Sequence, residues 1–268
     1  MTERSAGTSG SQDRAIDLSV RVPGTPEDVW EAIATGPGIT SWFVPHELAG
    51  GEGARVRMDF GGGFMDAASV TSWEPPHRLV LRGDGDRALA YEWLVEARDG
   101  GGCVVRLVCT GFGRGEDWDA EYHGMSEGWP LFLENLRLHL THFRGQQARA
   151  VIPSAPVAGS SESAFEAVCA ALGVPSDLGV GDVLKTSAPG APPLSGQVAA
   201  ATTTTATRAY HLVLVTPVPG TALLSAEQTG DQVAVSLWLY LYGSDSTNTA
   251  DAVGPFLTAL SERLAPTV

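Results

Sequence analysis

The sequence predicts an α+β protein in which a curved antiparallel sheet wraps around one long helix, an arrangement met twice along the chain. Three observations carry this. From Ala54 to Thr110, short runs of alternating apolar and polar residues are separated by glycine, proline and aspartate turns. From Asp117 to Phe143 the period becomes helical: Trp118, Tyr122, Met125, Trp129, Phe132, Leu136, Leu140 and Phe143 stand 4, 3, 4, 3, 4, 4 and 3 residues apart. The second half of the chain then repeats the pattern of the first.

Ala15 to Val22 alternates Ile16, Leu18, Val20 and Val22 against Asp17, Ser19 and Arg21, a half-buried strand. Thr25-Pro26-Glu27-Asp28 supplies an N-cap, a proline at the first helical position and an acid at N3. A helix follows through Val29, Trp30 and Ile33 and stops at Gly36-Pro37-Gly38. A short helical turn is expected at Ile39 to Phe43. Strands are expected at Ala54 to Phe60, Phe64 to Trp73, Arg78 to Arg82, Tyr91 to Ala97 and Cys103 to Thr110, the first pair joined by Gly61-Gly62-Gly63. Side-chain parity places Tyr91, Trp93, Val95, Val105, Leu107 and Cys109 on the concave face and Glu92 outside. In the long helix, acids crowd the first turns and Arg137 and Arg144 lie toward the end, as the helix dipole favours. Its polar arc holds Glu121, Glu127, Asn135, Arg137 and His139. The rings of Trp118, Tyr122 and Trp129 have polar tips, a residue type that lines cavities as well as cores.

A shift of 135 residues lays Thr25, Glu27, Trp30 and Ile33 over Ser160, Glu162, Phe165 and Val168, and a shift of 133 lays Arg78 to Leu81 over His211 to Leu214. The repeat predicts an opening strand at Ala150 to Val157, a helix at Ser161 to Leu172, and strands at Val198 to Thr205, Tyr210 to Val215, Thr221 to Gln228 and Gln232 to Tyr242. It closes with a helix at Asp251 to Leu264, about half the length of its counterpart. Residues 1–14 have the composition of a disordered leader, residues 15–145 form the first module, and residues 146–268 form a second, reduced one.

Composition excludes several functions. The chain has 31 acidic and 17 basic residues for a net charge of −14, and its single lysine is Lys185. No basic stripe suits nucleic acid, and an anionic membrane surface would repel it. No run of about 18 apolar residues is present, so no membrane insertion is expected and a cytoplasmic location is. Cys103 and Cys109 share one strand at a separation of about 20 Å, too far for a bridge. With Cys169 they match no zinc spacing, so no metal is expected. No phosphate loop, dinucleotide fingerprint or nucleophile elbow occurs, and no cofactor is expected.

Several pieces resemble a known family: Trp42-Phe43, Gly50-Gly51, Pro75-Pro76 followed by Arg78-Leu79-Val80, Tyr91-Glu92-Trp93, Arg106-Leu107, Gly111-Phe112, and Gly128-Trp129 with Phe132-Leu133 and Leu136. Their order over residues 15–145 is similar to the Activator of Hsp90 ATPase homologue 1-like (AHSA1-like) proteins of the START/Bet v 1-like (SRPBCC) superfamily. The resemblance implies a helix-grip fold, here duplicated in tandem, with a hydrophobic cavity between sheet and helix. On that basis Trp42, Phe43, Met58, Tyr91, Trp93, Leu107, Tyr122, Met125 and Trp129 are expected to line the cavity and to hold a small apolar molecule, lipid- or polyketide-like. The alternatives are a cyclase or hydrolase of polyketide-like substrates, or a chaperone co-factor acting through a protein partner or as a homodimer. No residue is assigned to catalysis; the side chain weighed for it is His123, one position off the apolar stripe, and His46 is expected to be solvated.

Overall fold

β1 (Ile16–Pro23) opens the first module by pairing antiparallel with its last strand, β7 (Gly102–Thr110), in a register running from Ile16↔Cys109 to Pro23↔Gly102. Between them come α1 (Pro26–Ala34), α2 (Gly36–Thr40), β2 (His46–Leu48), β3 (Arg55–Asp59), β4 (Met65–Glu74), β5 (Arg78–Gly83) and β6 (Ala90–Arg98). The seven strands form one antiparallel sheet in the order β1-β7-β6-β5-β4-β3-β2, and α3 (Glu116–His142) lies across it. This computed structural model describes residues 14–85, 88–202, 208–216, 219–229, 232–243 and 246–264. Most of the expected leader, residues 1–13, therefore lies outside the described residues. Arg14, the first described residue, pairs through its guanidinium with Asp119 on α3.

Local chemistry sets the elements. Thr25 caps α1 in a capping box with Asp28, and Pro26 occupies the first turn. Gly61, Gly62 and Gly63 turn β3 into β4 with φ of 80°, 61° and 85°, a left-handed run that only glycine adopts without strain. Glu92 points away from the concave face and bonds Arg78 at 2.7 Å, as its parity predicts.

The second module repeats the path. β8 (Arg149–Val151) and β9 (Ser154–Val157) both pair with the last strand, β14 (Gln232–Leu241), as β1 pairs with β7. α4 (Ser161–Leu172), β10 (Val183–Lys185), β11 (Ser195–Thr202), β12 (Arg208–Thr216), β13 (Gly220–Thr229) and α5 (Ser246–Leu264) complete it. The protein is thus a tandem helix-grip fold. Four expectations need correction. The opening strand 150–157 is two strands, since Pro153 has no N–H to continue a ladder. β10, three residues long, is too short to show a period. β11 starts at Ser195 rather than Val198, and residues 203–205 lie outside the described residues. α5 has 19 residues beside the 27 of α3, longer than the four turns expected.

Each module has its own core, and a third cluster joins them: Leu131 and Leu138 of α3 pack on Leu223 of β13. The helix is therefore held between two sheets. One face of β13 and β14, with Leu224, Ala226, Val235 and Leu237, fills the second core. The other face carries Thr221, Leu223, Trp238, Tyr240 and Tyr242 toward the first module. Asn135 and His139, assigned by periodicity to the polar arc of α3, are 2% and 4% exposed. They face the second module, not water.

Hydrogen bonds lock this contact. Asn135 Nδ2 donates to the Trp42 carbonyl at 2.8 Å, and Asn135 Oδ1 accepts from Thr221 Oγ1 at 2.7 Å. The Tyr242 hydroxyl donates to the Ser41 carbonyl at 2.9 Å. Having used its one proton, it accepts from His139 Nδ1–H at 2.7 Å, which fixes the tautomer of that ring. The Tyr240 hydroxyl, on the same strand, is fully buried and has no partner among the described residues. Tyr240→Phe removes an unsatisfied polar atom and should leave stability unchanged or raise it by up to about 1 kcal/mol in urea unfolding. A loss of more than that would mean that the hydroxyl does have a partner.

Candidate functional site

The concave face of the first sheet, the N-terminal half of α3 and the facing surface of β13 and β14 line a cavity of about 470 Å³ that is partly open to solvent. The reason it stays open lies on α3. Ala120, Gly124 and Gly128 recur every four residues, on one line of the helix surface, beside Met125, Trp129 and Phe132. A row without bulk, next to a row of rings, leaves space where a leucine row would fill it.

The wall is aromatic. Phe43 meets Phe132 with ring centroids 4.6 Å apart, Trp129 at 5.0 Å and Phe60 at 6.0 Å. Trp129 also reaches the sheet, at 5.7 Å from Trp93 and 6.2 Å from Tyr91. The second module closes the other side with Leu223, Ser225, Glu227, Ser236 and Trp238, the last stacked on Phe132 at 5.9 Å. Trp42 spends its indole N–H on the Ala32 carbonyl at 2.9 Å, so its ring offers only apolar surface.

Polar groups are few. His46 lines the cavity, half-buried, in β2, which corrects the expectation that it is solvated. Burial lowers its pKa to about 4, against the opposing pull of the Val44 carbonyl. The ring is neutral at pH 7, and because a carbonyl can only accept, Nδ1 carries the proton donated to Val44 at 2.7 Å. Nε2 is left as an acceptor. Burial, and then the neighbouring Cys109, Asp66 and Glu121, push the Tyr91 phenol up and keep it neutral. Asp66, Glu121 and Glu227 also line the cavity, and no lysine or arginine does so among the described residues.

Seven of the nine residues expected at the cavity line it: Trp42, Phe43, Met58, Tyr91, Trp93, Met125 and Trp129. Leu107 and Tyr122 do not. Leu107 is on the expected face but fully buried in the core of the first module. Tyr122 is one residue from the lining position Glu121, about 100° around the helix. It packs on Phe112 at 5.1 Å, with its hydroxyl 3.5 Å from the Ala15 carbonyl. His123 is exposed and does not line the cavity. Phe60 and Phe132 were legible, since they continue the Met58 and Trp129 stripes. Ser225, Ser236 and Trp238 were not, because no pattern in one module shows what the other lays against it. Among the described residues no group of three His, Cys, Asp or Glu could hold a metal ion. No helix among them is long and apolar enough to cross a membrane.

Residues 23–141 match the family model described as Activator of Hsp90 ATPase homolog 1-like protein. The match lies within the first module and takes in most of it. Two uncharacterized proteins of Mycobacterium tuberculosis, strains CDC 1551 and H37Rv, are each 30% identical to the chain over 87 residues. That match takes in 29% of this chain and 61% of each relative's length. Among solved structures, the di-domain ARO/CYC BexL of the BE-7585A biosynthetic pathway is 13% identical with a TM-score of 0.45, over 95% of this chain and 99% of that one. DynU16, from the dynemicin biosynthetic locus, is 16% identical with a TM-score of 0.44, over 93% and 96%. The Aha1 dimer of Colwellia psychrerythraea is 19% identical with a TM-score of 0.43, over 49% and 99%. In this AHSA1-like module the matched segment holds α1, α2 and most of α3, and with them the aromatic wall of the cavity.

Proposed function

We propose that the protein binds a small hydrophobic molecule, lipid- or polyketide-like, in the cavity between the first sheet and α3, and acts as a soluble carrier without chemistry of its own. The observation that supports this is an aromatic-walled space of about 470 Å³ with few polar groups, the size and character of a small-molecule site. Burial of a ligand's apolar surface against the rings of Phe43, Trp93 and Trp129 supplies the affinity. A cyclase or hydrolase acting through His123 finds no support in the geometry, since that side chain faces away from the space a substrate would occupy.

The reading is tested by titrating the protein with the apolar dye N-phenyl-1-naphthylamine and by native mass spectrometry of protein from its own host. Saturable binding is expected. Trp129→Ala should weaken it by about tenfold, the loss of one large buried aromatic contact, whereas Tyr122→Ala, outside the cavity, should leave it unchanged. Unsaturable binding, or equal losses in both variants, would count against the site.

A further inference from the structure

Three serines stand in a row across the second sheet. In the β13–β14 register Ser225 lies opposite Ser236, and in the β9–β14 register Ser236 lies opposite Ser154. Directly opposed residues in an antiparallel pair hold their Cβ atoms about 5 Å apart on the same face, so the three hydroxyls form a short ladder. Ser154 Oγ and Ser236 Oγ are hydrogen-bonded at 2.6 Å, which fixes the middle one.

Two adjacent rungs of this ladder, Ser225 and Ser236, line the cavity and are only 9% and 6% exposed. They carry the only aliphatic hydroxyls among its described lining residues. Two residues along each strand, on one side, the same face continues with Leu223 and Trp238, and on the other side β13 continues with Glu227, so the hydroxyls stand between the large apolar side chains of this wall and its carboxylate end. A buried hydroxyl facing an apolar space lacks the water it would bond at a surface, and therefore favours a guest that returns that bond.

We infer that Ser225 and Ser236 form a hydrogen-bonding subsite, supplied by the second module, for a neutral oxygen group (an alcohol, phenol or ketone) on an otherwise apolar ligand. A hydroxyl donates and accepts, so it serves each of these groups. With no lysine or arginine among the described lining residues, nothing there compensates the charge of a carboxylate or phosphate. The ligand thus lies with its apolar body among the rings of the first module and its oxygen against the second. The duplicated module acts as a selectivity wall for its neighbour's cavity.

This inference rests on the cavity-binding reading above, and the test separates the two. Three fluorescent probes of one ring skeleton, 9-anthracenemethanol, 9-methylanthracene and 9-anthracenecarboxylate, are titrated into the full chain and followed by anisotropy. The alcohol should bind roughly three- to tenfold tighter than the methyl compound, the worth of one neutral hydrogen bond, and the carboxylate weakest. In Ser225→Ala/Ser236→Ala the gap between alcohol and methyl compound should close while the methyl compound binds as before. Ser225→Ala alone leaves the Ser154–Ser236 bond in place, and should narrow the gap even if the double variant misfolds. Equal binding of alcohol and methyl compound to the wild type, a gap that survives both variants, or a preference for the carboxylate overturns the subsite but not the cavity. Failure of all three probes to bind overturns both.

Discussion

Asn135→Leu should destabilise the protein by about 3 kcal/mol, because it strands two buried partners at once at roughly 1–3 kcal/mol each. The substitution keeps the number of side-chain heavy atoms and the branch at Cγ but removes both the donor to the Trp42 carbonyl and the acceptor for Thr221 Oγ1. Asn135 is 2% exposed, so no water replaces either bond. In a chain of this size that loss lowers the melting temperature by roughly 6–12 °C. Thr221→Val removes only one of the two interactions and should cost less, about 1 kcal/mol. The effect on binding is just as diagnostic. Asn135 does not line the cavity, yet it holds the backbone of Trp42, which does, so ligand affinity should fall in Asn135→Leu without the loss of any contact. A change in urea-unfolding free energy below 1 kcal/mol would show that the modules are not held through this residue.

Acid should destabilise the fold between pH 6.5 and about 4, before most carboxylates titrate. Burial lowers the pKa of His139 from 6.5 to about 4. The native state keeps the ring neutral while the unfolded chain protonates near 6.5. Over that window the unfolded state binds more protons, so stability rises with pH and is lost as pH falls, levelling off below 4. For a shift of this size the loss is on the order of 3 kcal/mol. His46 adds to it with the same sign, and with a smaller share because it is half-buried. His139⁺ could still donate to Tyr242, but its charge would sit in the contact between α3 and the second sheet, beside the stacked rings of Phe143 and Tyr242. Urea unfolding at pH 7.5 and 4.5 measures the slope, and His139→Gln should flatten it. An unchanged slope in that variant would place the acid sensitivity elsewhere.

The relation between pattern and outcome differs along α3 itself. Leu136, Leu140 and Phe143 are buried as their spacing requires, since an amphipathic helix has to cover its apolar face and the sheet preceding it is the nearest cover. Asn135 and His139 are just as buried, against the pattern. Hydropathy assigns polar residues to water, and only a second surface with matching groups, here Thr221 and Tyr242, makes their burial favourable. The cavity shows the same division. Met58, Tyr91, Trp93, Met125 and Trp129 agree with strand parity and helix spacing, and Trp42 and Phe43 came with the resemblance, whereas Leu107 and Tyr122 depended on depth in the core and on rotation about the helix axis, which spacing reports only coarsely.

Alone, the amino-acid order determined most of the elements, their succession, the duplication and the resemblance of the first module to a known family, because caps, turns and periodicity act between residues close along the chain. The docking of the two modules decided what is empty and what is filled. Gly124 and Gly128 leave a void only because Trp238 and Leu223 roof it instead of entering it, and contacts of that kind join residues about 100 positions apart, where no local period reaches.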